Sequence, residues 1–353
     1  MQALKAWFDV LTPKQVLFFK PVIDQLRGRG FQVIVTSREY REVGQLAKMV
    51  GLPMTFVGER GEKGRVQQLV AATRRQADII PIIEEFGPDV AVSVASAVCA
   101  RVAFGLGVKH IAVNDSPHSE TAARLSVPLS ERLLCPWVIP YSAWSPYGIE
   151  RSKIIRYRAL DPAAWLKRKP MRGFVPKLPA GKRTIVVRVE ESDAPYLLGA
   201  NKTWMAKALS AISEAFPDLN LVALTRYGHQ MQEVKKRFGS RFIIPEQVVD
   251  GRALLGKADL FVGMGGTMTA EAALMGVPTV SAFQGSYVIE DYLASNGLVT
   301  KAKDVSSLVK SCKLGLRADY AASIKKKSRG LLSRMEDPVE KIVSSVVQLA
   351  KQV

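Results

Sequence analysis

Cysteine is scarce in this chain: Cys99, Cys135 and Cys312 are the three present in 353 residues. An odd number without CxxC spacing, and no histidine-rich tract beside it, argues against a disulfide framework and against a metal cage. The expectation is an intracellular chain with no metal site. No secretory leader is expected, since no basic stretch followed by an apolar run is seen at the start of the sequence. No segment approaches the ~18 consecutive apolar residues of a spanning helix. Acidic residues are in deficit, 32 Asp and Glu against 50 Lys and Arg, for a formal charge of +18.

That charge is unevenly placed. Residues 1–150 carry 17 basic and 14 acidic side chains, residues 151–180 carry nine against one, and residues 181–353 carry 24 against 17. The excess in the middle can meet phosphate groups of nucleic acid, of anionic lipid or of a small substrate. A solvated face is the plain alternative.

The length, with 48% hydrophobic residues, predicts two domains. Over residues 1–150, short apolar runs such as "FQVIVTS", "MTFVG", "DVAVSV" and "KHIAVND" alternate with helical periodicity, as over residues 65–86. In "TPKQ", Thr12 reads as an N-cap, Pro13 as the first helical residue and Gln15 as the capping-box partner. The alternation fails over 151–182, where Pro, Gly, Lys and Arg dominate, so this stretch reads as a basic linker. It resumes over 183–334. Residues 335–353 hold "PVEKIVSSVVQLAKQV", a helix expected to tie the two domains together. The predicted architecture is α/β, with two doubly wound Rossmann-like domains facing each other across a cleft.

In such sheets, ligands sit at the carboxyl ends of the strands, where glycine turns let backbone N–H groups approach phosphates at helix N-termini. "DLFVGMGGTMTAEAALMG" fits: Asp259 to Val262 as strand, Gly263, Gly265 and Gly266 as turn, Thr267 as helix start. It is neither GxGxxG with a distant ribose acid nor GxxxxGK[ST]. Its acid, Glu271, is one helical turn past Thr267, placed to accept hydrogen bonds from a diol while the turn holds a diphosphate. Taken singly, the glycines are ordinary strand-to-helix punctuation, and an acid early in a helix is favoured by the macrodipole.

Gly265, Gly266, Thr267, Glu271, Ala272, Gly276 and Pro278 resemble the donor-nucleotide motif of the GT-B superfamily. The resemblance is to the lipid-linked N-acetylglucosaminyl transferase of peptidoglycan synthesis and to the non-hydrolysing UDP-N-acetylglucosamine 2-epimerases. Through "WFDVLTPKQ", "VNDSPH", "VRVEES" and "GGTM", most of the chain also resembles a mainly archaeal family of GT-B-like proteins. The resemblance implies a nucleotide site in the C-terminal domain, an acceptor site in the N-terminal domain and a reaction in the cleft. "TIVVRVEES" is similar to the epimerases' T-x-H-R-x-E-N segment. Arg188 matches its arginine and Glu190 its glutamate, while Val187 replaces the histidine and Glu191 the asparagine. Arg188 then offers a bidentate fork to the diphosphate. In "IPEQVVDG" the backbone around Val248 would meet the base, with Asp250 equally readable as an N-cap.

An inverting transferase needs a base for the acceptor hydroxyl, and Asp9, Asp115 and His118 fall at strand ends in the first half. A capping or hydrogen-bonded histidine is the alternative for His118. The leading expectation is a metal-independent GT-B glycosyltransferase with a nucleotide sugar, uridine diphosphate-linked, as substrate rather than cofactor. Its acceptor would be lipid-linked, placing the protein in the cytoplasm at the inner face of an anionic membrane. A 2-epimerase is the alternative, favoured by "VRVEES" and disfavoured by the absence of a G-T-R-P-E segment. A third reading, nucleic-acid binding, would stack bases on Tyr157, Trp165 and Phe174 among the basic residues.

Overall fold

The computed structural model describes residues 3–59, 61, 64–189, 202–225, 228–285 and 287–352. They form two compact units, Met1–Arg168 with Glu336–Val353, and Lys169–Met335.

In the first unit strands and helices alternate as β1 (Lys5–Asp9), α1 (Pro13–Gly28), β2 (Gln32–Glu39), α2 (Arg41–Met49), β3 (Thr55–Glu59) and α3 (Arg65–Phe86). They continue as β4 (Val90–Ser93), α4 (Ala97–Gly105), β5 (Lys109–Val113), α5 (Glu120–Ser126), β6 (Arg132–Pro136), β7 (Ile154–Tyr157) and α6 (Ala163–Leu166). The seven strands make one parallel sheet in the order β3-β2-β1-β4-β5-β6-β7. The order reverses between β1 and β4, the switch point at which strand-end loops diverge. Helix α1 starts as its residues dictate: Thr12 Oγ1 accepts from Gln15 N, and Gln15 Oε1 accepts from Leu11 N at 2.6 Å. Trp7, Ile79, Ile83, Ala91, Val98 and Cys99 fill the layer between the sheet and helices α3 and α4.

The expectation of a linker over 151–182 is corrected in its first half. Ile154–Tyr157 is the edge strand of the sheet, and Ala163–Leu166 is a buried helical turn of the same unit. The pattern was hidden because an edge strand of four residues needs only Ile154 and Tyr157 inside, with Lys153 before the one and Arg156 and Arg158 on either side of the other.

The second unit comprises β8 (Thr184–Arg188), α7 (Lys202–Ala215), β9 (Asn220–Leu224), α8 (Gly228–Phe238), α9 (Gly251–Leu255), β10 (Leu260–Gly263) and α10 (Thr267–Met275). After these come β11 (Thr279–Ser281), α11 (Val288–Ser295), β12 (Val299–Lys301), α12 (Val305–Gly315) and α13 (Ala318–Arg334). Its parallel sheet runs β12-β11-β10-β8-β9, with the reversal between β8 and β10. The chain then returns to the first unit as α14 (Pro338–Ala350), started by the Asp337 cap, and packs Val339, Ile342, Val343 and Val346 without exposure. No helix among the described residues is long and apolar enough to cross a membrane.

Candidate functional site

Strand β10 delivers the glycine turn to the carboxyl edge of the second sheet, one residue later than expected: Gly263 is still strand, paired with Arg188 of β8 across the switch point. Gly265 and Gly266 have φ of +92° and +93°, a region that side chains rarely adopt. Gly263 is required for another reason. A Cβ there would lie 2.2 Å from Thr269 Oγ1, so the turn closes only without one. Gly266 is exposed and is the N-cap of α10, with no side chain to cap it. Thr269 N donates to Gly266 O at 3.3 Å, and the start of the helix, without a side-chain cap, stands at the positive end of the helix dipole, where backbone amides suit an anion or water. Thr267, half-buried, opens the helix.

Glu271 lies one turn in and is 6% exposed. Its Oε2 is 4.0 Å from where a Cβ on Gly251 would stand, so the glycine opening α9 leaves room for the carboxylate. Val248 is half-buried in the segment leading to α9, and Asp250 is that helix's N-cap, accepting from Ala253 N at 2.9 Å. Arg188 ends β8 beside Gly263, and its guanidinium donates to Thr225 O at 3.3 Å. Glu190 lies outside the described residues.

Two aromatic residues not singled out in the sequence also meet the turn. Tyr287 OH donates to Gly266 O at 3.2 Å, and the Phe283 ring would touch any Cβ on Gly265 at 3.1 Å. The two rings stand edge-to-face at 6.0 Å. Behind them Glu290 is fully buried, accepts from Ser281 Oγ at 2.8 Å, and burial raises its carboxyl above the usual range.

In the first unit the structure separates the three candidate bases. Asp9 is removed from the list: it is 0% exposed at the end of β1 and its oxygens are saturated. Arg75 of α3 donates through Nη2 to Oδ1 at 2.6 Å and through Nη1 to Oδ2 at 3.2 Å, Thr36 Oγ1 donates to Oδ1 at 2.8 Å, and Ser96 Oγ donates to Oδ2 at 2.7 Å. A carboxylate so engaged organises the switch point and does not meet an acceptor. Beyond it His110 is buried between Ser93 Oγ and Ser130 Oγ, each 2.9 Å away, and burial holds its ring neutral with a pKa of about 3.

Asp115 stands differently. It follows β5, is partly accessible, and takes part in a cluster that joins three strand ends. Lys14 Nζ lies 2.5 Å from Asp115 Oδ2 and 2.7 Å from Asp161 Oδ2. Ser116 Oγ donates to Asp115 Oδ1 at 2.9 Å, and Tyr157 OH donates to Asp161 Oδ1 at 2.5 Å. Burial works to raise the Asp115 carboxyl, but the Lys14 ammonium and the Ser116 hydroxyl bring it below the usual carboxylate range. The Lys14 ammonium, despite burial, is held above the usual lysine range by the two carboxylates. Burial and the neighbouring charge of Asp115 push Asp161 up to about 6 against the pull of Lys14. Asp115 is thus the carboxylate kept ionised and Asp161 the one that takes the first proton. His118, exposed on the same turn, has its pKa pulled below the usual histidine value by partial desolvation, against the field of Asp115.

The nucleic-acid reading loses its stacking platform. Tyr157 is fully buried and Trp165 nearly so, which leaves Phe174 alone of the three exposed. Three of the basic residues are also engaged. Arg151 and Arg156 stack on Tyr141 with guanidinium carbons 4.5 and 4.1 Å from its ring centre, and Arg168 pairs with Asp337 at 2.8 Å.

A family model described as protein of unknown function (DUF354) matches residues 4–351. The uncharacterised protein MJ0665 of Methanocaldococcus jannaschii is 26% identical over 361 residues, 99% of each chain. Among solved structures, the UDP-GlcNAc 2-epimerase of Neisseria meningitidis bound to UDP-GlcNAc overlaps with a TM-score of 0.74 at 13% identity, covering 98% of this chain and 100% of that one. The M. jannaschii UDP-GlcNAc 2-epimerase in complex with UDP-GlcNAc and UDP gives 0.73 at 15% identity, covering 98% and 100%. The glycosyltransferase SnogD of Streptomyces nogalater gives 0.64 at 19% identity, covering 99% and 100%. At such identities these likenesses establish the fold, the α/β architecture with parallel sheets shared by epimerases and GT-B glycosyltransferases.

Proposed function

We propose, for a chain that belongs to the DUF354 family, that it is a GT-B-type glycosyltransferase acting on a uridine diphosphate-linked sugar. The observation that carries this reading is the uncapped glycine turn at the start of α10 with buried Glu271 one turn behind it. The turn's amides and the helix dipole hold the diphosphate and stabilise it as it leaves, which is where transition-state charge develops. Glu271 accepts from the ribose hydroxyls, and the Val248 backbone meets the base. Asp115 takes the proton of the acceptor hydroxyl as its oxygen bonds to the anomeric carbon and the bond from that carbon to the diphosphate breaks. His118 is the neighbouring group able to relay that proton.

Titration calorimetry with uridine diphosphate tests the donor site. Glu271→Ala is expected to weaken binding by about 1.5–3 kcal/mol, roughly 10- to 150-fold, for a lost charge-assisted hydrogen bond. Unchanged affinity would remove the ribose assignment.

A 2-epimerase is the second reading, supported by the closer structural overlap with epimerases and by Arg188 at the switch point. With UDP-N-acetylglucosamine and no acceptor, an epimerase exchanges the C2 hydrogen with deuterated solvent. A transferase does not.

The charge on residues 151–180 further supports a peripheral station at an anionic membrane and a lipid-linked acceptor. Co-sedimentation with anionic vesicles should then fall steeply with salt. Equal binding to neutral vesicles would dismiss the electrostatic part of this reading.

A further inference from the structure

Four guanidinium groups of this chain are neutralised by carboxylates. Arg75 pairs with Asp9 at 2.6 Å, Arg124 with Glu120 at 2.7 Å, Arg168 with Asp337 at 2.8 Å and Arg317 with Asp319 at 2.8 Å. Two others, Arg151 and Arg156, are gathered at one place without an acid. Tyr141 stands in the helical turn Tyr141–Ala143 and packs against Leu133 and Ile154 of the first unit. Arg156 lies on the edge strand β7, and Arg151 opens the turn Arg151–Lys153 ahead of it. Their guanidinium carbons are 4.5 Å (Arg151) and 4.1 Å (Arg156) from the centre of the Tyr141 ring, so one ring holds both charges close together. The ring orients them but carries no net charge.

Among the described residues no carboxylate pairs with either arginine. The acids of the neighbouring stretches have other partners: Glu150 accepts from Ser152 Oγ at 3.3 Å, and Glu131 lies 3.4 Å from Lys153 Nζ. Stacking occupies the flat face of a guanidinium and leaves its N–H edge. Arg156 is anchored from within, where Nη1 donates to Trp137 O at 3.2 Å and Nε is buried without an acceptor, so Nη2 is the nitrogen it turns outward. Arg151 is exposed, with the ring as its partner. A tetrahedral phosphate answers this arrangement. Its oxygens accept from two guanidiniums at once, whereas a planar carboxylate is matched to a single fork. We propose that Arg151, Arg156 and Tyr141 form a binding site for the phosphate group of a phosphoester ligand. The site belongs to the first unit and stands independently of the transfer reaction proposed above.

Nuclear magnetic resonance of the arginine Nε–H groups tests it on the full chain, with Arg151→Gln and Arg156→Lys assigning the two signals. Titration with glycerol 3-phosphate at constant ionic strength should move both signals with one dissociation constant of about 1 mM. Arg151→Gln should weaken the response of the Arg156 signal about tenfold. Tyr141→Leu, which keeps both charges and removes their platform, should weaken it about fivefold. Phosphatidylcholine vesicles containing phosphatidic acid separate the two sources of a phosphoester. Retention on them that Arg151→Gln weakens assigns the site to a lipid headgroup, and a response to glycerol 3-phosphate without such retention assigns it to a soluble ligand. Signals unmoved up to about 20 mM overturn the proposal. So do signals that chloride moves equally, and so does binding that Arg151→Gln leaves unchanged. Far-UV circular dichroism checks the fold of each variant, and the exposed Arg151 is the position least able to disturb it.

Discussion

Asp115→Asn is expected to lower turnover by roughly 10²–10⁴-fold while leaving nucleotide affinity nearly unchanged. Asparagine keeps the shape, and its one carbonyl oxygen can still accept from Lys14 while the amide nitrogen takes the place beside Ser116, but it cannot take a proton. The comparison is kcat against the calorimetric Kd for uridine diphosphate. An equal loss in both would show that the change disturbs the fold and not the chemistry. Lys14→Met refines the result: without the ammonium, burial drives the Asp115 carboxyl upward, so the acid limb of the pH profile should move to higher pH. A base that worked free of Lys14 would leave that limb where it was. Neither outcome depends on which acceptor is used.

Arg75→Met should destabilise the first unit by about 3–5 kcal/mol, because it strands the Asp9 carboxylate in a fully buried position. Thr36 and Ser96 would remain as its donors, and two hydroxyls cannot offset the desolvation of a full charge. Adding Asp9→Asn should recover a large part of that loss, since a neutral amide tolerates burial with two hydrogen bonds far better than a carboxylate does. Chemical denaturation followed by circular dichroism measures both. A single variant costing less than about 1 kcal/mol would mean that water reaches Asp9 once the guanidinium is gone.

Local signals carried much of this structure. Thr12 and Pro13 announced α1, the alternation of apolar runs and helical periods announced the parallel sheets, and the glycines of 263–266 announced the turn before α10. What stayed hidden depended on partners far apart in sequence. Asp9 looks like any acid at a strand end until Arg75, 66 residues away, closes over it. Lys14 flanks the first turn without apparent purpose until Asp161, which follows β7, comes to lie beside it. Tyr157 looked like a stacking residue because its neighbours are basic, yet its hydroxyl serves Asp161 from inside the sheet. Strand β7 itself was missed because four residues are too few to show a period when arginine occupies one of them.

The return of the chain to the first unit sets an order of assembly. On a ribosome the second unit, contiguous from Lys169 to Met335, is available to fold as soon as it emerges. The first unit, begun earlier, stays unfinished throughout that time, because the buried face of α14 is the surface that covers α1 and the ends of β1, β4 and β5. Translation that stops anywhere between Met335 and Val343 would therefore leave an intact second unit attached to a first unit with an uncovered apolar seam. Such products present a ready target for chaperones and proteases, so the amino-terminal half is finished only by residues translated after the whole of the second unit.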